Sequence, residues 1–380
     1  MKIVLIGPTY PLRGGISHHT TLLYRHLRKR HEVHFFAFRR QYPKWIYPGK
    51  SDKDSSQIPI KEDGIEHVLD SLNPVTWVNV FQRIRRVSPE LIIFPWWVSF
   101  WAPQFWTITS LTRIFTHSKI LFICHNVVEH ESSVIDKICT RFVLKKGHQF
   151  IVHSNEDLRN LRKIITDANV KKNTHPSYEV FHRGDIPKEE ARKQLCIEGN
   201  TILFFGFVRP YKGLHYLIEA MPKIIKHQSI NLLIVGEIWQ GEEEYRKQIA
   251  ELGIGNNIRI INQYVPNEQV GLYFAASDLV VLPYVSATGS GIVQAAFGCN
   301  KPVISTLVGS LQEVIDHSKT GYLVPPKDSK AIADAVLSFY KNEQEINFIK
   351  NIIKVRERFS WDKMVDTIES FSEISETFKP

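Results

Sequence analysis

The 380-residue sequence has only four cysteines, and they do not pair in spacing. Cys124, Cys139, Cys196 and Cys299 are scattered, with no Cys-x-x-Cys among them. That excludes a disulfide scaffold or a cysteine-based zinc module and fits a reducing, cytoplasmic compartment. The opening Met1–Pro8 has a four-residue apolar run, too short for a secretory signal and suited to a strand. No His-Glu-x-x-His and no Gly-x-Gly-x-x-Gly occurs, which argues against a zinc protease and a nicotinamide dehydrogenase. No repeat of about 20–50 residues is present, so a solenoid is excluded. Hydrophobic residues make up 43% and charged residues 23%, an ordinary folded balance that excludes global disorder.

Charge is unevenly placed. Residues 1–190 hold 28 Lys and Arg against 18 Asp and Glu, and residues 191–380 hold 20 against 21. The whole excess of +9 therefore sits in the first half. Such asymmetry suits an acidic partner, either lipid headgroups or an anionic acceptor, or simply solubility. No nucleic-acid-binding motif accompanies it, so no nucleic-acid partner is expected. The basic clusters Arg25, Arg28, Lys29, Arg30 and Arg83, Arg85, Arg86 are candidates for an anionic membrane surface, or else solvated helix faces. Leu91 to Thr112 is uncharged and carries the aromatic run Phe94–Trp101. About 20 apolar residues can span a bilayer, but Pro95, Pro103 and Gln104 interrupt this stretch. The expectation is a buried strand, an aromatic loop able to touch a membrane interface, and a helix from near Ala102.

Short apolar runs alternate with helical segments along the chain. Lys2–Ile6, Val33–Phe38, Leu91–Phe94, Ile120–Cys124 and Phe150–Val152 form one series. A polar stretch from Asn173 to Gly199 interrupts it. The series resumes with Ile202–Phe205, Leu232–Val235, Ile258–Ile261, Leu279–Leu282 and Pro302–Ser305. Buried runs separated by helices predict an α/β fold of two doubly wound parallel halves. In such folds ligands sit at the carboxyl ends of the strands.

Four of those loops carry candidate chemistry. The first contains Gly14-Gly15 and opens a helix, where close backbone approach and amide donors suit a diphosphate. The second is Gly206-Phe207-Val208-Arg209-Pro210-Tyr211-Lys212-Gly213, with two cations three residues apart at a helix start. The third is Pro283–Gln294, whose Gly289, Ser290, Gly291 and Ile292 leave amides open, with Gln294 inside the helix. The fourth is Cys124–Glu131. Its His125, Glu129, His130 and Glu131 do not have metal-ligand spacing, so His125 reads as a polar contact to substrate and no metal is expected. His18 and His19 read as helix-surface or cleft residues.

Together, in this order, these segments resemble the retaining glycosyltransferases of family 4, the glycosyl transferases group 1, with the GT-B fold. The carriers are Gly206–Leu214, Leu233–Glu237, Tyr264–Glu268, Leu272–Pro283, Lys301–Ile304, Val308-Gly309, Glu313–Ile315 and Lys319–Pro326. The Gly14-Gly15 loop, His125-Asn126, Val152–Ser154 and Phe359–Trp361 fit more loosely. The resemblance implies two Rossmann-like domains facing across a cleft. These would be an acceptor-binding domain over 1–188, a nucleotide-sugar domain over 189–355, and a last helix over 356–380 crossing back to the first. It implies Arg209 and Lys212 on the diphosphate, amides of Ser290, Gly291 and Ile292 beside them, Gly14 and Gly15 opposite, Val265 near the base and His125 near the sugar. Gly206, Gly236, Glu237, Gly289 and Gln294 complete the implied donor set. Protein cations replace a metal, and no cofactor is implied. The implied partners are a nucleoside-diphosphate sugar, a glycan or lipid-linked acceptor for cell-surface polysaccharide such as lipopolysaccharide, and peripheral contact with an anionic membrane.

One departure stands out. The family carries two Glu with seven residues between them, and the corresponding positions here are Ala287 and Ala295, or in a one-residue shift Ser286 and Gln294. Asn126 also stands where many members have Asp. A second expectation follows from this loss, a catalytically impaired GT-B scaffold that binds a partner.

Overall fold

The computed structural model describes residues 1–43, 49, 51–128, 133–182, 184 and 186–373. Glu129, His130 and Glu131, weighed above as metal ligands, lie outside the described residues. The chain divides into two units. The first comprises Met1–Ser55, Pro59–Thr174 and Ser360–Pro380, and the second Ser56–Ile58 and His175–Phe359.

In chain order the first unit runs β1 (Lys2–Gly7), α1 (Gly15–Leu27), β2 (Glu32–Arg40), β3 (Ile65–Asp70) and α2 (Pro74–Val87). It continues with β4 (Leu91–Trp96), α3 (Ala102–Phe115), β5 (Lys119–Cys124), α4 (Val134–Leu144), β6 (Gln149–Val152), α5 (Asn155–Ile164) and β7 (Val170–Lys172). The strands pair in parallel in the order β3-β2-β1-β4-β5-β6-β7. Ile3, Val4, Leu5 and Ile6 of β1 are all fully buried. Helices cover both faces of a parallel sheet, so its central strands are continuous apolar runs rather than alternating ones. Local signals fix the helix starts. Asn73 Oδ1 accepts from the Val75 amide just ahead of Pro74, Ser133 and Asp136 form a capping box on α4, and Ser154 Oγ caps α5.

The second unit contains α6 (Lys188–Leu195), β8 (Asn200–Phe205), α7 (Leu214–His227), β9 (Ile230–Val235), α8 (Glu242–Glu251), β10 (Ile258–Ile261) and α9 (Asn267–Ala276). Then come β11 (Leu279–Leu282), α10 (Gly291–Gly298), β12 (Val303–Thr306), α11 (Leu311–Val314), β13 (Gly321–Val324), α12 (Ser329–Lys341) and α13 (Glu345–Val355). Its parallel sheet has the order β10-β9-β8-β11-β12-β13. Both units are thus doubly wound α/β layers, as the sequence pattern predicts. The order reverses beside the first strand of each, β1 in one and β8 in the other, which marks the carboxyl ends there as ligand positions. The last helix, α14 (Trp361–Glu373), belongs to the first unit and packs on α1, with His26 stacked on Trp361 at 5.7 Å between ring centroids.

One expectation about the first half is overturned, and two others are narrowed. Trp96 closes β4 and Trp101 sits in a short 3₁₀ turn, and both are buried in the core beside Phe38 and Phe105. The aromatic stretch is therefore packing material, not an exposed loop. Among the described residues no helix is long and apolar enough to cross a membrane. Four of the seven basic side chains are internally matched, while Lys29, Arg85 and Arg86 are exposed. Arg25 and Arg28 hold Glu62 at 2.6 and 3.1 Å, Arg30 reaches Asp366 at 2.6 Å and Glu369 at 3.2 Å, and Arg83 pairs with Glu66. His19 is fully buried rather than on a helix surface.

A buried carboxylate ties α6 to the second unit. Asp278 accepts from Lys188 Nζ at 2.7 Å, Arg192 Nη2 at 2.9 Å, the Thr201 amide at 2.8 Å and the Tyr340 hydroxyl at 2.9 Å. Burial alone would raise the Asp278 carboxyl. Lys188, the Thr201 amide and Arg192 reverse that and hold it below the usual range. Asp278→Ala is expected to cost about 3–5 kcal/mol in denaturant melts, because it strands buried cations. Breaking the exposed Lys223–Asp334 pair by Lys223→Ala should cost under about 1 kcal/mol. Equal midpoints for the two variants would refute the ranking.

Candidate functional site

The carboxyl ends of β8, β9 and β11 converge in the second unit because two glycines let backbones touch. Gly236 follows β9 at φ +144°, and a Cβ there would lie 2.0 Å from the Gly206 oxygen. Gly213 opens α7 at φ +64°, where a Cβ would lie 2.1 Å from the Pro283 oxygen. Between them the segment Phe207–Lys212 is stitched on both sides. The Val208 amide donates to Glu237 O at 2.9 Å, the Trp239 amide to Val208 O at 3.2 Å, and the Val285 amide to Tyr211 O at 2.7 Å.

This stitching places the cations. Lys212 is only 9% exposed, and its Nζ would lie 3.5 Å from a Cβ built on Gly206, whose other near neighbour is Ile292 Cδ1 at 3.0 Å. Gly206, Lys212 and Ile292 therefore meet at the start of α10. Arg209 lies over the rings of Tyr211 and Trp239 at 5.3 and 5.6 Å. Among the described residues no carboxylate pairs with either Arg209 or Lys212. Burial pushes the Lys212 ammonium below its ordinary value, Tyr211 opposes that, and the Arg209 charge pushes the same way as burial. Two cations without a counter-ion, one of them desolvated, form a site that gains from an anion.

The floor is Tyr284. Its ring lies 5.3 Å below Lys212 Nζ, and its hydroxyl lies 3.3 Å from Ser290 Oγ. Burial pushes the phenol up to about 12, with the Ser290 contact opposing. Ser290 Oγ accepts from the Ile292 amide at 3.2 Å and caps α10. The Gly289 segment is held against the turn before α11 by the Ser310 amide, which donates to Thr288 O at 3.0 Å. Ala287 and Ala295 are both buried, and neither register brings a carboxylate here. Gln294 is 2% exposed, and its Oε1 meets no donor among the described residues. A buried amide oxygen with an open lone pair is an acceptor waiting for a hydroxyl. Glu237 and Val265 are buried beside the same strand ends.

Sequence reasoning missed an aromatic wall. Phe207 and Trp239 lie 4.7 Å apart between ring centroids, and Tyr264 lies 6.4 Å from Phe207. All three are half-buried and directly follow or border the ends of β8, β9 and β10. The available signal was their position, two to four residues past a strand.

In the first unit α1 starts at Gly15, with Gly14 as its N-cap residue. His125 follows β5, and its amide donates to Trp96 O at 2.8 Å. The ring of His19 stands edge-on to His125 at 4.4 Å, His153 lies 5.0 Å from His125, and Trp361 lies 5.1 Å from His19. The loop after His125 is fixed by Asp157, which accepts from the Val127 amide at 3.0 Å and from Ser154 Oγ at 2.7 Å. His125 and His153 thus sit just past strand ends, with His19 facing His125 from α1.

Residues 187–356 match the family described as glycosyl transferases group 1. The D-inositol 3-phosphate glycosyltransferase of Corynebacterium glutamicum is 25% identical over 74% of this chain and 71% of its own length. The spore coat protein SA of Bacillus subtilis is 25% identical over 98% of this chain and 99% of its own. Among solved structures, Anabaena HepE in complex with UDP superposes with a TM-score of 0.73 at 18% identity, covering 97% of this chain and 100% of that one. That likeness establishes the fold, which is the GT-B fold of glycosyltransferases.

Burial pushes the His153 imidazole down to about 4, although its Nδ1–H donates to Asn173 O at 2.8 Å. The unfolded chain binds that proton near 6.5, so unfolding takes up a proton between those values. Stability should fall as pH drops through that window. His153→Gln should flatten the slope of stability against pH by about one proton. An unchanged slope in urea melts across the window would contradict it.

Proposed function

We propose that this chain, whose residues 187–356 are a glycosyl transferases group 1 domain, moves a sugar from a nucleoside-diphosphate sugar to an acceptor hydroxyl with retention. The observation that carries the reading is the uncompensated pair Arg209 and Lys212, set beside Gly206, Ile292 and the capped start of α10. Breaking the anomeric C–O bond leaves its electron pair on the terminal phosphate oxygen of the nucleoside diphosphate. Cations and amides fixed in place before the bond breaks stabilise that developing charge without reorganising. The acceptor oxygen bonds to the anomeric carbon from the face the diphosphate leaves, and its proton passes to the departing phosphate oxygen. No protein nucleophile and no metal is needed in this scheme.

The remaining assignments follow from chemistry. The open Oε1 of Gln294 accepts from a ribose hydroxyl, in place of the carboxylate that this position lacks. The Phe207–Trp239–Tyr264 wall, with Val265, offers a face on which a base stacks. Glu237, Gly236, Gly289, Ser290 and Gly291 line the donor, and Gly14, Gly15 and His125 act at the sugar and acceptor end. The acceptor is a glycan or lipid-linked glycan of cell-surface polysaccharide, met on the cytoplasmic side of a membrane. A second reading, a scaffold that binds donor or partner without turnover, draws on the absence of a carboxylate at Ala287, Ala295, Ser286 and Gln294.

Thermal melting with UDP, GDP, ADP, dTDP and CMP, each with EDTA, tests donor binding. A true ligand at about 100 times its Kd adds roughly 2.7 kcal/mol of stability. Trp239→Ala should reduce that shift while leaving the unliganded melt in place. With the donor so identified, Arg209→Ala and Lys212→Ala should each lower kcat about 10²–10³-fold with the fold intact by circular dichroism. Wild-type turnover in both variants would sink the assignment, and stabilisation without any turnover would favour the scaffold.

A further inference from the structure

The outer face of α4 carries more exposed apolar surface than any other helix described here. Val134 is 73%, Ile135 71%, Ile138 49% and Phe142 61% exposed. Val134, Ile138 and Phe142 are spaced four apart, so they stack in one stripe, and Ile135 adjoins it. Thr140, Val143 and Leu144 turn inward to the core. Beside the apolar stripe runs a basic one, Lys137, Arg141 and Lys145, all exposed. The single carboxylate of the helix, Asp136, is engaged by Ser133 and Ser99 at its amino end.

The neighbouring helix extends the face. Arg113 of α3 donates to the carbonyls of Lys145 and Lys146, both at 3.3 Å, and so locks the two helix ends together. Trp106 of α3 is 44% exposed, with Lys146 Nζ 5.6 Å from its ring. No Asp or Glu occurs anywhere from Leu91 to Val128. Four large apolar side chains within two to three turns, bordered by cations and a tryptophan, differ from the scattered apolar residues of an ordinary surface.

We propose that the outer face of α4, with Trp106, docks on the anionic surface of a lipid bilayer, the helix lying in the interface plane. The charge pattern selects this occupant. Lysine is depleted in the cores of protein–protein interfaces. At a bilayer it does two things at once, laying its stem along apolar surface and keeping its ammonium among anionic headgroups. Tryptophan is favoured at the same depth. The 11-residue helix is about 16 Å long, enough to seat the whole stripe. Of the basic clusters that stand out in sequence, Arg25, Arg28, Arg30 and Arg83 are already paired with carboxylates and Lys29, Arg85 and Arg86 are exposed on other helices, while Lys137, Arg141 and Lys145 border the α4 stripe and form no ion pair among the described residues. The inference rests on the reading that the acceptor is membrane-borne, and it gives that reading a place on the fold.

The test is flotation of the full chain with phosphatidylcholine vesicles, with and without phosphatidylglycerol. Wild type should float with the anionic vesicles at low salt and stay behind with phosphatidylcholine alone. Lys137→Gln/Arg141→Gln/Lys145→Gln should reduce partitioning about a hundredfold, roughly fivefold per cation. Ile135→Ser/Phe142→Ser should reduce it at least about tenfold and abolish the part that survives high salt. Melting temperatures should hold, since every altered side chain is exposed. Failure of wild type to float, or flotation of both variants like wild type, overturns the proposal. So does a dimer in size exclusion that Phe142→Ser converts to monomer without any vesicle binding, because a second copy would then be the occupant. The nucleotide melting shift, measured on the same variants, separates the two readings. A normal shift without flotation defeats only the docking face, and flotation without any shift defeats only the transferase.

Discussion

Two polypeptide backbones can touch only where no Cβ stands between them, and the ligand face of the second unit depends on that. At Gly236 the chain leaving β9 runs against the Gly206 carbonyl, and at Gly213 the chain entering α7 runs against the Pro283 carbonyl. Any side chain at either position would overlap backbone, and backbone here cannot yield without breaking the ladders of β8, β9 and β11. The Arg209–Lys212 segment is therefore clamped rather than mobile. A long, flexible lysine ordinarily keeps its head in water. Here it has little choice, because the segment that carries it is stitched to both neighbouring strand ends. The energetic tension of the site follows directly: a buried ammonium beside a guanidinium, over an aromatic floor, with its ordinary proton affinity reduced.

That tension is affordable because the opposite end of the same sheet is so well tied. Asp278 draws α6, β8 and α12 together through Lys188, Arg192, the Thr201 amide and Tyr340. In that network every charge has a partner, and the pairing outweighs the burial. At the carboxyl end the cations have none. One sheet thus shows both regimes of buried charge, matched at its amino end and unmatched at its carboxyl end.

Much of this was legible from sequence, for a physical reason. Strands buried on both faces read as unbroken apolar runs, so β1, β4, β5, β8, β9 and β11 declare themselves, and the loops after them follow. Edge strands do not. Ile65–Asp70 is half polar and shows neither an apolar run nor a clean alternation, and Val170–Lys172 is too short and too basic to register. Helix α6 lies within a stretch that reads as linker, since it buries only Ala191 and is held by ion pairs to residues about 85 positions away. Gly206, Lys212 and Ile292 could be expected near one another because each follows a strand of one sheet. Trp239 could not, because an aromatic ring in a sequence does not announce whether it fills a core or lines a surface. The same ambiguity misled in the other direction at Trp96 and Trp101, which are core.

Charge shows the limit most sharply. A run such as Arg28-Lys29-Arg30 looks like a basic surface, yet Arg30 is neutralised by Asp366 and Glu369, more than 330 residues further along the chain. Sequence proximity measures charge density along the chain, while a membrane or a ligand responds to the net field left after folding has paired what it can. Helix α4 is the converse. Its composition reads as an ordinary buried helix, rich in Ile, Val, Phe and Leu, and nothing local says which of these turn outward. Only when Thr140, Val143 and Leu144 are seen to fill the core does the rest of its apolar content become surface, with Lys137, Arg141 and Lys145 alongside. The surfaces left unmatched by packing are thus two, a pair of cations without a carboxylate on one unit and an exposed apolar stripe on the other.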